Sequence, residues 1–313
     1  MQNHYQFRDV IYYALRSVPY IFQSHTCKAY CALESLYAQK PHLPNDVWEY
    51  CTSIIKNDEP KVNGIIIPDL LNLDEVLDAT SGRRFGPDWI LGRGLVPLSY
   101  WAMQKKVVHD GFKSVFMEYV TKALEKPRYL GHEISVLSAY WYFYNEVIAE
   151  STNEEDKTLF IQRFTEFVTV TFSHGDENTV EHSLHEENPS ESEIIFQALN
   201  NPGFFGHHVL ASVWGFRLKP LLEEEQKQLL TQSLITLNGG YGVELASSVI
   251  KPIKPIWSEQ DFDTHMIRFF LEGPHNIHQI TLAEALLWCW VHHPEHRGLV
   301  AANLICFTEG TRP

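Results

Sequence analysis

Four histidines in this 313-residue chain each stand at the head of an apolar run with helical spacing. In every run, the seventh residue after the histidine is Ala or Gly and the eighth is large and apolar. Positions zero, four, seven and eight lie on one face of a helix, so each histidine leads the stripe that faces the core. The four histidines that share this pattern are His25, His132, His208 and His278.

Imidazoles collected from several helices suit two kinds of chemistry. Neutral imidazole is a good ligand for Fe or Zn, and helical bundles build metal sites from side chains on facing helices. Imidazole also titrates near neutral pH, so it can act as a general base towards a phenolic proton. We predict that the four histidines point into one enclosed cavity and are catalytic, with both mechanisms left open.

The segment "GFFGHHVLASVWGF" makes His208 the histidine that we expect to matter most. The glycines of "GFFG" free the backbone, and its two phenylalanines can wall a pocket. Its neighbour His207 lies about 100° around a helix, so only one of the two can lead the inner stripe. The pattern selects His208, because the small residue Gly215 lies seven positions after it.

The acidic segment "EHSLHEE" holds a second group of possible metal ligands, His182, His185 and Glu186. If the segment is helical, their spacing is one that a metal site can use. The surrounding Pro, Asn and Ser favour a loop, and an exposed acidic loop is the competing interpretation.

Arginines inside "ATSGRRFGPDWILGRGLVP" are the best candidates for binding an anion in this acidic chain. The planar guanidinium groups of Arg83, Arg84 and Arg93 suit a carboxylate or phosphate, so we predict that they bind a cofactor or substrate. The loop would then border the cavity entrance. The competing interpretation is three exposed surface arginines.

The elements that must position these residues are helices. Windows such as "CKAYCALESLYA", "FIQRFTEFVTVTF" and "TLAEALLWCWV" repeat apolar residues at intervals of three and four. No Pro- or Gly-rich stretch is long enough to indicate a domain linker. We predict one all-α domain over residues 1–313, a helical bundle whose histidine-headed helices surround a central cavity.

Composition limits the classes of partner. With 44% hydrophobic and 20% charged residues the chain is globular, and its net charge of −14 opposes binding to nucleic acid or to an anionic membrane. No signal peptide or membrane-spanning run is evident, and the five cysteines form no Cys-x-x-Cys pair. We expect a reduced, cytoplasmic protein that acts on a small molecule. Its oligomeric state stays open.

Three segments resemble the questin oxidase-like family, and together they cover about a third of the chain. "FQSHTCKAYCALESLYA" is similar to the family's N-terminal segment, and "YLGHEISVLSAYWYF" resembles its central histidine helix. "WSEQDFDTHMIRFFLEGPHNIHQITLAEAL" is similar to its C-terminal region. The chain is shorter than is usual for that family.

The resemblance implies a helical oxygenase that oxidises an aromatic, polyketide-like ring in a Baeyer–Villiger manner, with NADPH as the electron source. His25, His132, His208 and His278 are the residues that carry over. Two other functions stay open on the residues alone. One is a non-redox metalloenzyme, and the other is a helical interaction protein whose histidines are structural.

Overall fold

The computed structural model describes residues 7–18, 25–62, 86–173, 189–239, 250–254 and 257–310. Over these ranges the chain is helical, apart from turns and one isolated antiparallel bridge between Ser17 and Lys61. The all-α prediction is therefore confirmed. In chain order the described α-helices are α1 Arg8–Arg16, α2 Thr26–Gln39, α3 Asn45–Asn57, α4 Pro87–Gly92, α5 Leu98–Asp110, α6 Phe112–Glu125, α7 His132–Phe143, α8 Glu154–Phe172, α9 Glu191–Asn200, α10 His207–Leu218, α11 Glu224–Asn238, α12 Glu259–Glu272, α13 His278–His292 and α14 Arg297–Glu309.

Four of these helices form a closed ring at the centre of the bundle. Helix α2 packs on α7, α7 on α10, α10 on α13, and α13 returns to α2. Small residues line these contacts, including Ala29 and Ala32 on α2, Ala139 on α7 and Ala285 on α13, all of them fully buried. Small side chains allow the helices to approach closely, as the spacing predicted. The closed ring then brings the N-termini of its four helices together.

The remaining helices cover the outside of this ring. Helix α1 packs on α2 and α3, α6 on α7, α9 and α11 on α10, and α14 on α12 and α13. An aromatic layer fills the space between α7 and α8, where Phe143 stacks on Phe160 with ring centroids 6.0 Å apart. Burial of such large apolar surfaces stabilises the arrangement. Among the described residues, no helix combines the length and the apolar character that spanning a membrane requires.

The ring helices begin differently from several of the outer helices. Helices α8, α9 and α12 begin with side-chain caps, in which Asn153, Ser190 and Ser258 accept from backbone N–H groups of the first turn. None of the four ring helices has such a cap. The histidines at their N-termini therefore do not serve as caps, and their rings are turned to other contacts.

Candidate functional site

A cluster of four imidazoles lies at the N-terminal end of the helix ring. His25 directly precedes α2, and His132, His207 and His278 are the first residues of α7, α10 and α13. We call these four residues the histidine tetrad. His25 and His207 are buried, with 8% and 2% of their surface exposed, whereas His132 and His278 are partly exposed. The tetrad therefore reaches the protein surface on the side of His132 and His278.

Two of the tetrad helices begin with the same unusual turn. A short 3-10 turn ends in a glycine, and that glycine directly precedes the histidine: Gly131 before His132 and Gly206 before His207. Both glycines have left-handed backbones, with φ of 62° and 75°. A Cβ on Gly206 would lie 2.5 Å from a methyl carbon of Leu282. Glycine thus avoids backbone strain at this left-handed position and leaves room for Leu282 of α13.

The nitrogens of the tetrad lie at ligand-to-ligand distances. Nε2 of His132 is 3.2 Å from Nε2 of His25 and 2.9 Å from Nε2 of His207. One nitrogen from each of the four residues lies within 4.8 Å of the others. Ring contacts close a cycle through all four, with centroid distances of 5.1, 4.6, 5.2 and 4.6 Å in the order His25, His132, His207, His278.

Contacts on the outer side of the tetrad orient two of its rings. His207 donates through Nδ1 to the carbonyl oxygen of Phe204, which leaves Nε2 with its lone pair facing His132. His278 stacks on Phe205, with centroids 5.4 Å apart and an interplanar angle of 19°. Its own Nε2 is buried and has no hydrogen-bond partner among the described residues. That unsatisfied nitrogen is one a ligand would complete.

At neutral pH, His132, His207 and His278 of the tetrad are uncharged. Burial is the main reason that the pKa values of His132, His207 and His278 lie well below the ordinary 6.5, because it penalises the charged form. Neighbouring imidazoles lower them further: His207 acts on His132, His278 on His207, and His25 on His278. Neutral imidazoles are the form that binds a metal ion. The four residues could therefore hold one.

His208 does not belong to the tetrad, so the predicted register on α10 is wrong by one residue. Its Nδ1 lies 2.6 Å from the carbonyl oxygen of Asn201, and a Cβ on Gly203 would lie 3.0 Å from its ring. Helical rotation separates adjacent side chains by about 100°, and the left-handed Gly206 starts α10 with His207 pointing inwards. The structure brings His25, His132 and His278 together as predicted, with His207 as their fourth member.

The sequence does contain a signal for His207. "YLGH" and "FFGH" both place a glycine immediately before the inward histidine, preceded by a large apolar residue with positive φ, Leu130 or Phe205. The small residue Gly215 says less about which histidine points inwards. A Cβ at that position would meet side chains of α7 and α11 in either case.

The other predicted site residues lie away from the tetrad or outside the described ranges. Arg93 is exposed at the end of α4, where its guanidinium carbon lies 5.7 Å from the ring centroid of Trp89. Nothing in that position places it at an entrance. The remaining predicted ligands lie outside the described residues: Arg83, Arg84, His182, His185 and Glu186.

A second group of histidines lies at the surface, where α9 meets the turn between α13 and α14. We call His293, His296, Glu191, Glu295 and Ser192 the histidine–glutamate corner. His293 lies 3.4 Å from a carboxylate oxygen of Glu295 and 3.8 Å from one of Glu191. The Ser192 hydroxyl donates to Glu295 at 2.6 Å, and His296 donates to the Ser192 carbonyl at 2.9 Å.

A buried ion pair, which the residue patterns did not reveal, lies further along the helix ring. Glu284 on α13 has no exposed surface and forms an ion pair with Arg217 on α10. Ser35 on α2 donates to the same carboxylate at 2.8 Å. The pair links three of the ring helices behind the tetrad.

Comparisons with protein-family models, with curated proteins and with solved structures find no match for this chain. The geometry of the tetrad is therefore the basis for assigning a function.

Proposed function

We propose that this protein is a metal-dependent oxidoreductase whose metal ion is held by the histidine tetrad. The observation that carries the proposal is that four imidazoles, one from each helix of a closed ring, direct nitrogens to within 4.8 Å of one another. A buried ring nitrogen needs a hydrogen-bond partner or a metal, and Nε2 of His278 has no partner among the described residues.

The spacing of the nitrogens supports metal coordination. With metal–nitrogen bonds of about 2.0–2.1 Å, neighbouring ligand nitrogens lie about 2.9–3.4 Å apart. The Nε2–Nε2 distances of 2.9 and 3.2 Å around His132 fall within that interval. The hydrogen bond from His207 to the Phe204 carbonyl fixes its tautomer, as metal-bound histidines require.

The ligand set favours iron over zinc. Imidazole suits both metals, but four protein ligands close the tetrahedron of zinc, and catalytic zinc usually has three. The rings of the tetrad contact one another in a four-membered cycle, so all four imidazoles could hold one iron ion. An iron ion there would supply binding and activation of dioxygen.

Aromatic side chains beside the tetrad support a flat aromatic substrate. Phe204 is 44% exposed and lies parallel to the ring of His207, with centroids 6.1 Å apart. Phe205 stacks on His278. A planar ring bound against Phe204 would lie next to two of the tetrad imidazoles. This fits the phenolic or polyketide-like substrate, oxygen and NADPH that the family resemblance implies.

Metal analysis and oxygen uptake test the proposal. We expect purified protein, reconstituted anaerobically with Fe²⁺, to hold one iron per chain and, once oxygen is admitted, to consume it with a hydroxylated aromatic ketone and NADPH as the electron source. His132→Ala should lose the iron, whereas His208→Ala, its matched control on a neighbouring helix, should retain it. Protein that binds no Fe²⁺ or Zn²⁺ would refute the metal site. Tight zinc binding without oxygen uptake would favour the non-redox alternative.

A reducing compartment is part of this proposal. None of the five cysteines, all of them described, forms a disulfide, and Cys27, Cys51 and Cys289 are buried in the core. Burial raises the pKa of Cys27 to about 12, which keeps it as an unreactive thiol. A cytoplasmic location agrees with such thiols.

A further inference from the structure

Lys28 is a buried cation one helical turn beyond His25 on α2. Only 1% of its surface is exposed. Among the described residues its ammonium group forms no hydrogen bond or ion pair, and Nζ lies 6.0 Å from the ring centroid of Trp214. An unpaired lysine is rarely buried, because desolvation of its charge is costly. A cation retained here needs a role.

The charge of Lys28 acts directly on the tetrad. It contributes to the lowered pKa values of His132, His207 and His278, so it lies within electrostatic reach of three different helices. Burial in turn lowers the pKa of Lys28 to about 7, although Glu284 opposes that shift. Along α2, Lys28 lies between His25 of the tetrad and Ser35, which contacts Glu284, so its buried side chain lies in the part of the ring between the tetrad and the ion pair.

Glu284 does not neutralise Lys28. Its carboxylate already pairs with Arg217 and accepts from Ser35, and the Arg217 charge partly cancels its effect on Lys28. The other carboxylate oxygen, Oε2, is buried without a hydrogen-bond partner, as is Nε1 of Trp214. The interior next to Lys28 thus holds several polar atoms whose hydrogen-bonding capacity is unused.

A divalent metal ion on the tetrad would add two positive charges beside this lysine. Imidazole ligands carry no negative charge that could compensate, and like charges in a poorly solvated interior repel strongly. An anionic ligand that contacts both the metal and the ammonium group would remove this repulsion and keep Lys28 protonated. With a neutral ligand Lys28 would instead lose its proton, because its pKa is already lowered to about 7.

We propose that Lys28 and a metal ion on the tetrad together bind the anionic oxygen of a phenolate ligand. The proposal rests on the metal site of the proposed function and adds the ionic form in which the substrate is recognised. Lys28 donates a hydrogen bond to the oxygen that the metal binds. Among aromatic ligands, selection therefore favours those with an ionisable hydroxyl group.

Binding of 4-nitrophenol to zinc-loaded protein tests this directly, because the visible spectrum of the probe reports its phenolate form. We expect Lys28→Met to weaken binding of the phenolate by at least about tenfold, a coupling of about 1.4 kcal/mol. Lys28→Arg should retain part of the affinity. The neutral ether 4-nitroanisole should bind wild type and Lys28→Met alike, and Lys105→Met, an exposed lysine, should behave as wild type.

Affinity for Zn²⁺ alone should change in the opposite direction. Without an anion, Lys28→Met removes a repelling charge, so the tetrad should bind Zn²⁺ several-fold more tightly than in wild type. Because the substitution also removes a buried unpaired charge, the variant should be at least as stable as wild type. Lys28→Gln, which keeps a polar head group, provides a second variant with the same expected directions.

The two proposals fail in different ways. Wild-type protein that binds no Zn²⁺ would refute the metal site itself. If wild type binds Zn²⁺, then phenolate affinity unchanged in both Lys28→Met and Lys28→Gln would overturn the role of Lys28 while leaving the metal site intact. Equal losses for 4-nitrophenol and 4-nitroanisole would also overturn it, because they would reflect altered shape and not charge.

Discussion

The histidine tetrad and the histidine–glutamate corner use the same residue type in opposite settings. In the corner, His293 and His296 each lie within 3.8 Å of a glutamate oxygen, and His296 donates to a backbone carbonyl. In the tetrad, imidazole nitrogens face one another, and among the described residues no carboxylate belongs to the set of ligands. The corner rings thus lie among carboxylates and a backbone carbonyl, with Nε2 of His293 buried 3.8 Å from Glu191 and without a hydrogen bond among the described residues, whereas the tetrad rings lie mainly against one another.

The difference comes from where each group stands on its helices. The tetrad residues begin four helices that pack in a closed ring, so the fold forces their side chains together. The corner residues lie at one helix start and one 3-10 turn at the surface, where carboxylates and solvent are available. A high local density of histidine therefore indicates a site only where convergence removes the alternative partners.

The largest difference between the histidine tetrad and the histidine–glutamate corner should be in metal affinity. We expect His132→Ala to reduce Zn²⁺ or Fe²⁺ affinity by more than about a hundredfold, since even the loss of an outer partner costs about 10–100-fold. The double variant His293→Ala/His296→Ala should bind as wild type does. Isothermal titration with each metal measures both. Similar losses in the two variants would contradict the distinction drawn between the groups.

The interior and the surface should also differ in the stability that their ion pairs provide. Arg217→Met leaves Glu284 as a buried, unpaired carboxylate, so we expect a loss of about 3–5 kcal/mol in the free energy of unfolding. Lys219→Met breaks the 3.1 Å pair with Glu191 of the corner, where both side chains are about a third exposed. That change should cost less than about 1 kcal/mol.

Urea denaturation of both variants without metal checks these values. Stability losses of equal size would show that the Glu284–Arg217 pair is as well hydrated as the surface pair. A third variant, Arg217→Met/Glu284→Met, should recover much of the stability, because it removes both charges.

The fold class and three of the four tetrad residues were predictable from the sequence. Helical periodicity and a histidine at the start of each run are local properties, and the closed ring follows from small residues at helix contacts. The choice between His207 and His208 was not settled by periodicity. It depends on the left-handed turn at Gly206, which fixes where α10 starts and so which of two adjacent rings points inwards.

Lys28 and Glu284 were missed for a different reason. A charged residue on an amphipathic helix normally lies on the solvent side, and nothing in "SHTCKAYCALESL" marks Lys28 as an exception. Its burial arises because α7, α10 and α13 close the ring around α2, which is a tertiary property. The residue pattern of a single helix therefore does not predict the burial of Lys28.

A smaller loss of stability is expected when Gly206, the glycine before His207, is replaced, and Gly310 provides a matched control. Gly206 and Gly310 share a left-handed conformation, with φ of 75° and 63°, but a Cβ on Gly310 meets nothing within 4 Å. Gly310→Ala should therefore show only the backbone strain, about 1–2 kcal/mol. Gly206→Ala should lose about 1–3 kcal/mol more through contact with Leu282 and should weaken metal binding. Equal losses would mean that Leu282 adjusts freely.

The smallest expected effect is the dependence of stability on pH contributed by one tetrad histidine. The ordinary pKa of 6.5 applies in the unfolded chain, whereas the pKa of His278 in the folded chain is well below it. Below pH 6.5 the unfolded chain therefore binds more protons, so the metal-free protein loses stability as the pH falls. Each such histidine contributes at most about 1.4 kcal/mol per pH unit.

His278→Phe should remove one such contribution, so the fall in stability of metal-free protein between pH 7 and pH 5.5 becomes shallower than in wild type. Glu295 of the corner is the control, because its pKa is lowered from 4.5 to about 2 by the hydrogen bond from Ser192. Its contribution is present above pH 4.5 and is lost only as the pH falls towards 2, so Glu295→Gln should leave the slope from pH 7 to pH 5.5 unchanged. If Glu295→Gln changed this slope and His278→Phe did not, the protons responsible would bind at the corner. The tetrad histidines would then not have the lowered pKa values that their burial implies.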